Sequence, residues 1–459
     1  MLEILKKKTL DVEDFKNYRP VSNLPFLSKV IEKTVVRELN SHMLANGLHP
    51  TNQSAYRQNH STETALVRIV NDLLLAIDNK QCTFLVLLDQ SAAFDTVNQD
   101  HMLNRLESSF GITKDALTWL TTYFKHRKQS VLIGNVSSAS RELVTGFPQG
   151  SVLGPFMYPV YTSPLFSIAE KYGLDIQMYA DDTQLYLSFC VEEKDIALDR
   201  MEKCISEIRD WMFKNHLKLN DSKTEFLVVG SKYLTKQMDS VSQIKIGDSS
   251  VDAVSDAKNI GAILDANLDL EKHVASICKS CYMHMHHIGR IRRYLTEEAA
   301  AVLVNALITS RLDYANSLLY GLPKHLIKRL ELVQNNAARL VFRKKKRDNV
   351  KLLLKKLHWL PIRYRIMFKI NVLTFKCIRG LAPKYLSELI SLYEPPRCLR
   401  SSGKGLLDRK SARLMIGERA FSVAGPRLWN ELPLHIRVAE KLCTFKSLLK
   451  TYYFRKAFA

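Results

Sequence analysis

Thr83-Phe-Leu-Val-Leu-Leu88-Asp89 and Ile176-Gln-Met-Tyr179-Ala-Asp181-Asp182-Thr-Gln184-Leu-Tyr-Leu-Ser-Phe189 decide how this chain folds. The first is a continuous apolar run of strand length, suited to a strand buried on both faces, and it ends abruptly on a carboxylate. The second reads as two short strands, Ile176 to Tyr179 and Gln184 to Phe189, the latter alternating apolar and polar at period two. Ala180, Asp181, Asp182 and Thr183 lie between them, which predicts a tight hairpin with a double-carboxylate tip. Taken singly, Asp89 is a strand-end residue facing solvent, and Asp181-Asp182 is a pair of favoured turn residues. Taken together, they bring three carboxylates to one sheet edge, where they repel one another unless cations hold them. Mg²⁺ suits such a site, since it takes oxygens from one or two carboxylates together with substrate phosphates.

Working outward, Leu27, Val30, Ile31, Val35 and Leu39 share one helical face, and Glu63 to Ile77 repeats that period with Leu66, Ile69, Val70, Leu73 and Leu74. Residues 100–128 read as helical, Val131 to Val144 as a hairpin, and Gly146-Phe-Pro-Gln-Gly150 as a break. A long amphipathic helix is predicted from Glu193 to about Asn215 and a strand from Glu225 to Val229. Beyond Asp265 the pattern is mainly helical, with a basic cluster, Arg343-Lys-Lys-Lys-Arg347, and a Pro/Gly/Ser-rich break around Pro395 to Gly405.

With 459 residues, 46% hydrophobic and 25% charged, the composition excludes disordered and fibrous classes and leaves room for two or three domains. The longest apolar stretches, Thr83 to Leu88 and Ala299 to Ile308, are too short to span a bilayer. The N-terminal MLEILKKKTL does not read as a signal peptide, so the expected setting is intracellular, nuclear and cytoplasmic, not secreted. The sequons at Asn52, Asn59 and Asn135 then carry no meaning, and the eight cysteines read as reduced thiols. The net charge of +21 is uneven: residues 323–459 hold 32 Lys/Arg against 8 Asp/Glu, whereas residues 1–322 hold 35 against 38. A segment so charged calls for a polyanion, with nucleic acid ahead of an anionic membrane surface.

Four stretches, two of them built on those already quoted, occur in order: Leu88-Asp89-Gln-Ser-Ala-Ala-Phe94-Asp95, Phe147-Pro-Gln149-Gly150-Ser-Val-Leu-Gly154-Pro155, Tyr179-Ala-Asp181-Asp182 and Leu219-Asn-Asp-Ser-Lys223-Thr-Glu225. They resemble the palm motifs of a reverse transcriptase of the non-LTR (LINE-type, jockey-like) retrotransposon group. Asn17-Tyr18-Arg19-Pro20-Val-Ser and Gln53-Ser-Ala-Tyr56-Arg57 resemble its fingers motifs, and Asn259-Ile-Gly261-Ala-Ile-Leu264-Asp265 its primer grip. Leu357-His-Trp359-Leu-Pro361, Gly380-Leu-Ala-Pro383 and Arg419-Ala-Phe-Ser-Val-Ala-Gly-Pro426-Arg-Leu-Trp429 resemble the C-terminal region of these elements. Any one stretch is weak; seven or more in order are specific.

The resemblance implies an α+β right-hand polymerase with an antiparallel palm sheet, followed by a basic, mainly α-helical C-terminal region. Fingers and palm would occupy residues 1–264, a helical thumb 265–345, and the nucleic-acid-binding region 346–459. It implies RNA-directed DNA polymerisation, with RNA template, DNA primer and dNTPs as partners, no membrane, and two Mg²⁺ ions (Mn²⁺ as a substitute) held by Asp89, Asp181 and Asp182. Carried over by position, Phe94 crowds a 2′-hydroxyl, Gln149 and Gly150 shape the templating pocket, and Arg57 clamps the triphosphate. Lys223 assists the leaving pyrophosphate, or else is a structural surface lysine.

Three positions depart from the pattern. Gln90 stands where an apolar residue is expected, and Asn98-Gln99 where Asp-His is usual. No stretch resembles the upstream endonuclease of such elements, so the expectation is a chain that extends primers without cutting its target. The alternatives are a catalytically impaired truncated relic that only binds RNA and an RNA-dependent RNA polymerase, the latter disfavoured by Phe94 and the Pro-Gln-Gly turn. Cys278-x-x-Cys281 invites a zinc reading, but its helical spacing predicts buried thiols instead.

Overall fold

The computed structural model describes residues 2–5, 11, 14, 17–91, 94–133, 135–238, 240–247, 249–394 and 405–459. Most of the Pro/Gly/Ser-rich break at 395–405 therefore lies outside the described residues. The strands that build the site are β1 (Cys82–Leu88), β2 (Gln90–Ser91), β3 (Asp175–Tyr179), β4 (Asp182–Phe189), β5 (Lys218–Leu219) and β6 (Glu225–Val229), followed by the hairpin β7 (Asp256–Asn259) and β8 (Ala262–Asp265). The helices that frame it are α1 (Phe26–Ala45), α2 (Thr62–Asp78), α3 (Gln99–Phe110), α4 (Lys114–Phe124), α5 (Leu153–Tyr161) and α6 (Lys194–Lys214). Beyond the sheet come α7 (Glu271–Ile291), α8 (Lys324–Phe342), α9 (Ile362–Ile378), α10 (Lys384–Ser387), α11 (Phe421–Asn430) and α12 (Leu442–Phe458).

The palm sheet is antiparallel in the order β6-β1-β4-β3. Every residue of β1 is buried, as its unbroken apolar run predicted. Because side chains alternate across a strand, β1 divides itself between two cores. Phe84, Val86 and Leu88 pack with Met102, Met157 and Ile205 of α3, α5 and α6. Leu85 and Leu87 face the other way, into a core with Leu66, Ile69 and Leu73 of α2. That second core continues through Leu268, Val341 and Leu373, so it runs without interruption past residues 264 and 345. A third core joins α9, α11 and α12 around Phe375, Phe445 and Trp429, with Phe375 and Phe445 centroids 4.4 Å apart. Trp359 and Trp429 are thus buried rather than available for stacking on bases.

Two expectations change in detail. The single helical stretch over 100–128 is broken into α3 and α4, because Gly111 adopts a left-handed φ of 65° and caps α3. The apolar face of α1 is only half used: Leu39 is buried, while Leu27 and Ile31 remain 67% and 46% exposed. Cys278 and Cys281 sit on one continuous helix, α7, and both are buried; burial pushes the Cys281 thiol up to about 11. No helix among the described residues is long and apolar enough to cross a membrane.

Phe84 is fully buried, with its ring centroid 4.2 Å from that of Phe189 and 5.5 Å from that of Phe226. Phe84→Ala is expected to lower the unfolding free energy by about 3–5 kcal/mol in guanidinium titrations. Phe26→Ala, at a position 82% exposed, is expected to change it by less than about 0.5 kcal/mol.

Candidate active site

Strand register assembles the carboxylates. Leu88 lies opposite Thr183, so Asp89, one residue further, leaves the sheet beside Asp182. Asp182 itself belongs to the ladder, paired with Tyr179, so the hairpin tip is Ala180-Asp181 rather than the full four-residue turn expected. Ala180 holds a left-handed φ of 60°, an uncommon conformation for a residue with a Cβ. Its backbone is held on both sides by the buried Gln53: Ala180 N–H donates to Gln53 Oε1 at 3.1 Å, and Gln53 Nε2 donates to Ala180 O at 3.4 Å. Gln90 braces the next residue, donating from Nε2 to Asp181 O at 3.3 Å while its Oε1 accepts from the Tyr158 hydroxyl. The polar residue that departs from the family pattern is therefore buried and has partners at both ends.

Asp89 and Asp181 are half-buried and Asp182 is exposed along one edge. Loss of hydration where Asp182 meets the sheet edge, followed by the like charges of Asp181 and Asp89, raises its carboxyl to about 6. The β2–β5 pairing and a hydrogen bond from Asn220 N–H to Asp89 O at 2.9 Å anchor the turn that carries Lys223. Its ammonium reaches Asp89 Oδ2 at 3.4 Å. Among the described residues no three acidic, histidine or cysteine side chains already converge on one point as an ion cage. The three expected ligands are thus neighbours and not a closed cage. Their all-oxygen donor set and their mutual repulsion fit a hard divalent cation that completes its shell with substrate phosphates.

A second group of residues lies beside the carboxylates. Phe94 is half-buried with its ring 4.7 Å from that of Tyr158, and its carbonyl accepts from Phe147 N–H at 2.9 Å. Gln149 Nε2 donates to both Asp95 oxygens, at 2.8 and 2.9 Å, and Gln149 O accepts from Ser22 N–H at 2.7 Å. Gly150 has φ 101° and a Cβ there would sit 3.3 Å from Ser22 O, while one on Gly146 would come within 2.6 Å of Asp95 O. Only glycine tolerates such positions. Asn98 and Gln99, the other departures, are structural: Asn98 Oδ1 caps α3 at His101 N–H, 2.9 Å, and buried Gln99 donates to Leu143 O at 3.3 Å.

Arg57 is tied to its own loop. Its Nη1 donates to Pro50 O at 2.5 Å and Gln53 O at 3.0 Å, so this arm of the guanidinium closes the loop that presents Gln53. Sequence reasoning missed Gln53, Ser54 and Asp95. Asp95 and Gln149 both lay inside quoted motifs, but nothing in the spacing signals that they pair.

A family model described as reverse transcriptase (RNA-dependent DNA polymerase) matches residues 4–246. The chain is 29% identical over 346 residues to a probable RNA-directed DNA polymerase from transposon BS of Drosophila melanogaster, covering 72% of this chain and 36% of that protein. It is 28% identical over 337 residues to a probable RNA-directed DNA polymerase from the transposon X-element of the same species, covering 71% and 35%. The chain therefore spans about a third of the length of these curated relatives. A solved apo telomerase from Candida tropicalis aligns with 79% of this chain and 59% of its own, at 9% identity and a TM-score of 0.39.

The raised Asp182 carboxyl has a consequence for stability. An unfolded Asp takes up its proton near 3.8 and the folded one near 6, so between these values the folded state holds more protons. The contribution of Asp182 to the stability of the metal-free protein accordingly falls as pH rises across that window. Asp182→Asn is expected to raise Tm relative to wild type at pH 7.5 in EDTA, with the advantage disappearing at pH 4, as read by thermal unfolding.

Proposed function

The chain belongs to the reverse transcriptase (RNA-dependent DNA polymerase) family, and from that premise we propose that it extends a DNA primer on an RNA template with dNTPs, as the polymerase of a non-LTR retrotransposon. The observation that carries this reading is the register that sets Asp89 beside the Asp181-Asp182 hairpin, with Lys223 on Asp89. Asp89, Asp181 and Asp182 would hold two Mg²⁺ ions, or Mn²⁺ in their place. Bound there, the metal supplies activation of the primer 3′-hydroxyl and neutralisation of the departing pyrophosphate.

The chain's own residues do the rest. Lys223 screens Asp89 in the resting protein and would assist the leaving pyrophosphate. Phe94, backed by Tyr158, makes a rigid wall under the sugar, where a 2′-hydroxyl would be crowded. The Gln149–Asp95 pair and Gly150 fix the floor on which the templating base pair rests. RNA would be held by the basic segment 323–459 and the surface next to it. An open groove of about 600 Å³ between α7 and α8, lined by Asn336, Arg339, Lys344 and Lys346, suits a phosphate backbone. In this reading residues 1–264 are fingers and palm, 265–345 the thumb and 346–459 the C-terminal nucleic-acid-binding region, working inside the cell in nucleus and cytoplasm.

Primer extension on an RNA template with dNTPs and Mg²⁺ tests the proposal. Wild type is expected to extend the primer and Asp181→Ala/Asp182→Ala to bind it without extension. If both proteins bind and neither extends, the chain only holds RNA. Phe94→Ala is expected to admit ribonucleotides in the same assay, and unchanged discrimination would remove the ring from that role.

A further inference from the structure

The C-terminal region reaches the catalytic hairpin through one buried phenol. Tyr385, on α10, is 1% exposed, and its hydroxyl lies 2.8 Å from Ser54 Oγ and 3.0 Å from Thr64 Oγ1. Proton counting fixes the direction of each bond. Thr64 Oγ1 donates to Ser61 O at 2.9 Å, so it accepts from Tyr385, whose single hydroxyl hydrogen is then committed. Ser54 must therefore donate to Tyr385, which leaves Ser54 Oγ to accept from Gln177 Nε2 at 2.8 Å. Ser54 N–H donates to Met178 O at 2.9 Å, and Met178 N–H donates to Asn52 O at 2.9 Å. Residues 52–54 thus lie as a short parallel bridge along β3, with Gln53 gripping Ala180 at the tip. Arg68 Nη1 holds the other side of Tyr385, donating to its carbonyl at 2.8 Å.

We propose that Tyr385 is a positioning residue for Asp181, through which the C-terminal region holds the 52–54 bridge against β3 and so fixes the left-handed turn that presents the carboxylate. Removing the phenol oxygen leaves the buried Ser54 hydroxyl without its acceptor, while Thr64 Oγ1 still accepts from Ser61 N–H at 2.9 Å. The bridge then loosens at the point where Gln53 meets Ala180. The kinetic part of this inference rests on the polymerase reading above; the structural part does not.

The test compares Tyr385→Phe with Tyr453→Phe in the full chain. Tyr453 is an equally buried phenol whose oxygen accepts from Asn371 Nδ2 at 2.7 Å, within the C-terminal core and away from the bridge. Hydrogen exchange over residues 177–184 is expected to quicken by about 10-fold in Tyr385→Phe, as a local opening becomes easier, and to stay at wild-type rates in Tyr453→Phe. In primer extension kcat is expected to fall about 10-fold or more in Tyr385→Phe alone, the size of effect a small misplacement of a reacting group produces, with KM for dNTP unchanged. Ser54→Ala combined with Tyr385→Phe is expected to lose less than the product of the two single losses, because the two substitutions share the Ser54–Tyr385 bond while Ser54→Ala alone also removes the bond from Gln177. Unchanged exchange at the hairpin, an equal loss in Tyr453→Phe, or a change confined to KM would each overturn the proposal. A wild type that extends no primer would sink the polymerase reading and leave the exchange comparison to decide the coupling.

Discussion

A strand buried on both faces, paired on both edges and ending in a charge constrains everything around it. β1 cannot be solvated anywhere along its length, so helices must cover both sides of the sheet, and the alternation of its side chains allots Phe84, Val86 and Leu88 to one core and Leu85 and Leu87 to the other. The same constraint places Asp89. A carboxylate has to sit where the chain leaves the sheet, and the antiparallel neighbour then delivers Asp182 to the same edge. Burial of β1 and crowding of charge at its end are two sides of one arrangement.

α2 carries the consequence outward. It is apolar toward β1, with Leu66, Ile69 and Leu73 fully buried, but it also bears polar groups that the C-terminal region satisfies. Glu63 takes Lys369 at 2.9 Å, Asn71 Oδ1 accepts from Ser422 N–H at 2.9 Å, and the Asp78 carboxylate accepts from the backbone of Arg413 and Leu414 at 2.9 and 2.6 Å. On its sheet side Asp72 accepts from the Tyr186 hydroxyl of β4 at 2.8 Å. Buried polar groups are tolerated only when paired, so these bonds specify one way of docking. The strongly basic C-terminal region is therefore integral to the palm's support, whatever else its surface binds.

Strands and helices with a clear period were legible in the sequence. The residues of β1, β6 and α6 fall almost where their patterns put them, and the Asp89 and Asp181-Asp182 neighbourhood followed from two buried runs and a turn. What escaped was polar and aperiodic. Gln53, Ser54 and Tyr385 sit in a loop or a single helical turn, and their partners are far away in the chain, so no local pattern announces them. Arg57 illustrates the same limit from the other direction. Its position within a motif suggested a ligand contact, and nothing local signalled that its Nη1 would also close its own loop. Gln90 looked like a defect in the pattern until its two hydrogen-bond partners were seen.

The bond between Ser54 and Tyr385 joins residues 331 positions apart. On the ribosome, the loop beside the catalytic hairpin emerges early and waits for most of the remaining chain to be made before its last partner arrives. Contacts of such long range form late in folding. Translation and template copying run in opposite directions along an RNA. If the message that encodes this chain is also its template, the late arrival of Tyr385 sets an order of events: the ribosome has passed the Tyr385 codon before the loop beside the hairpin is fully held.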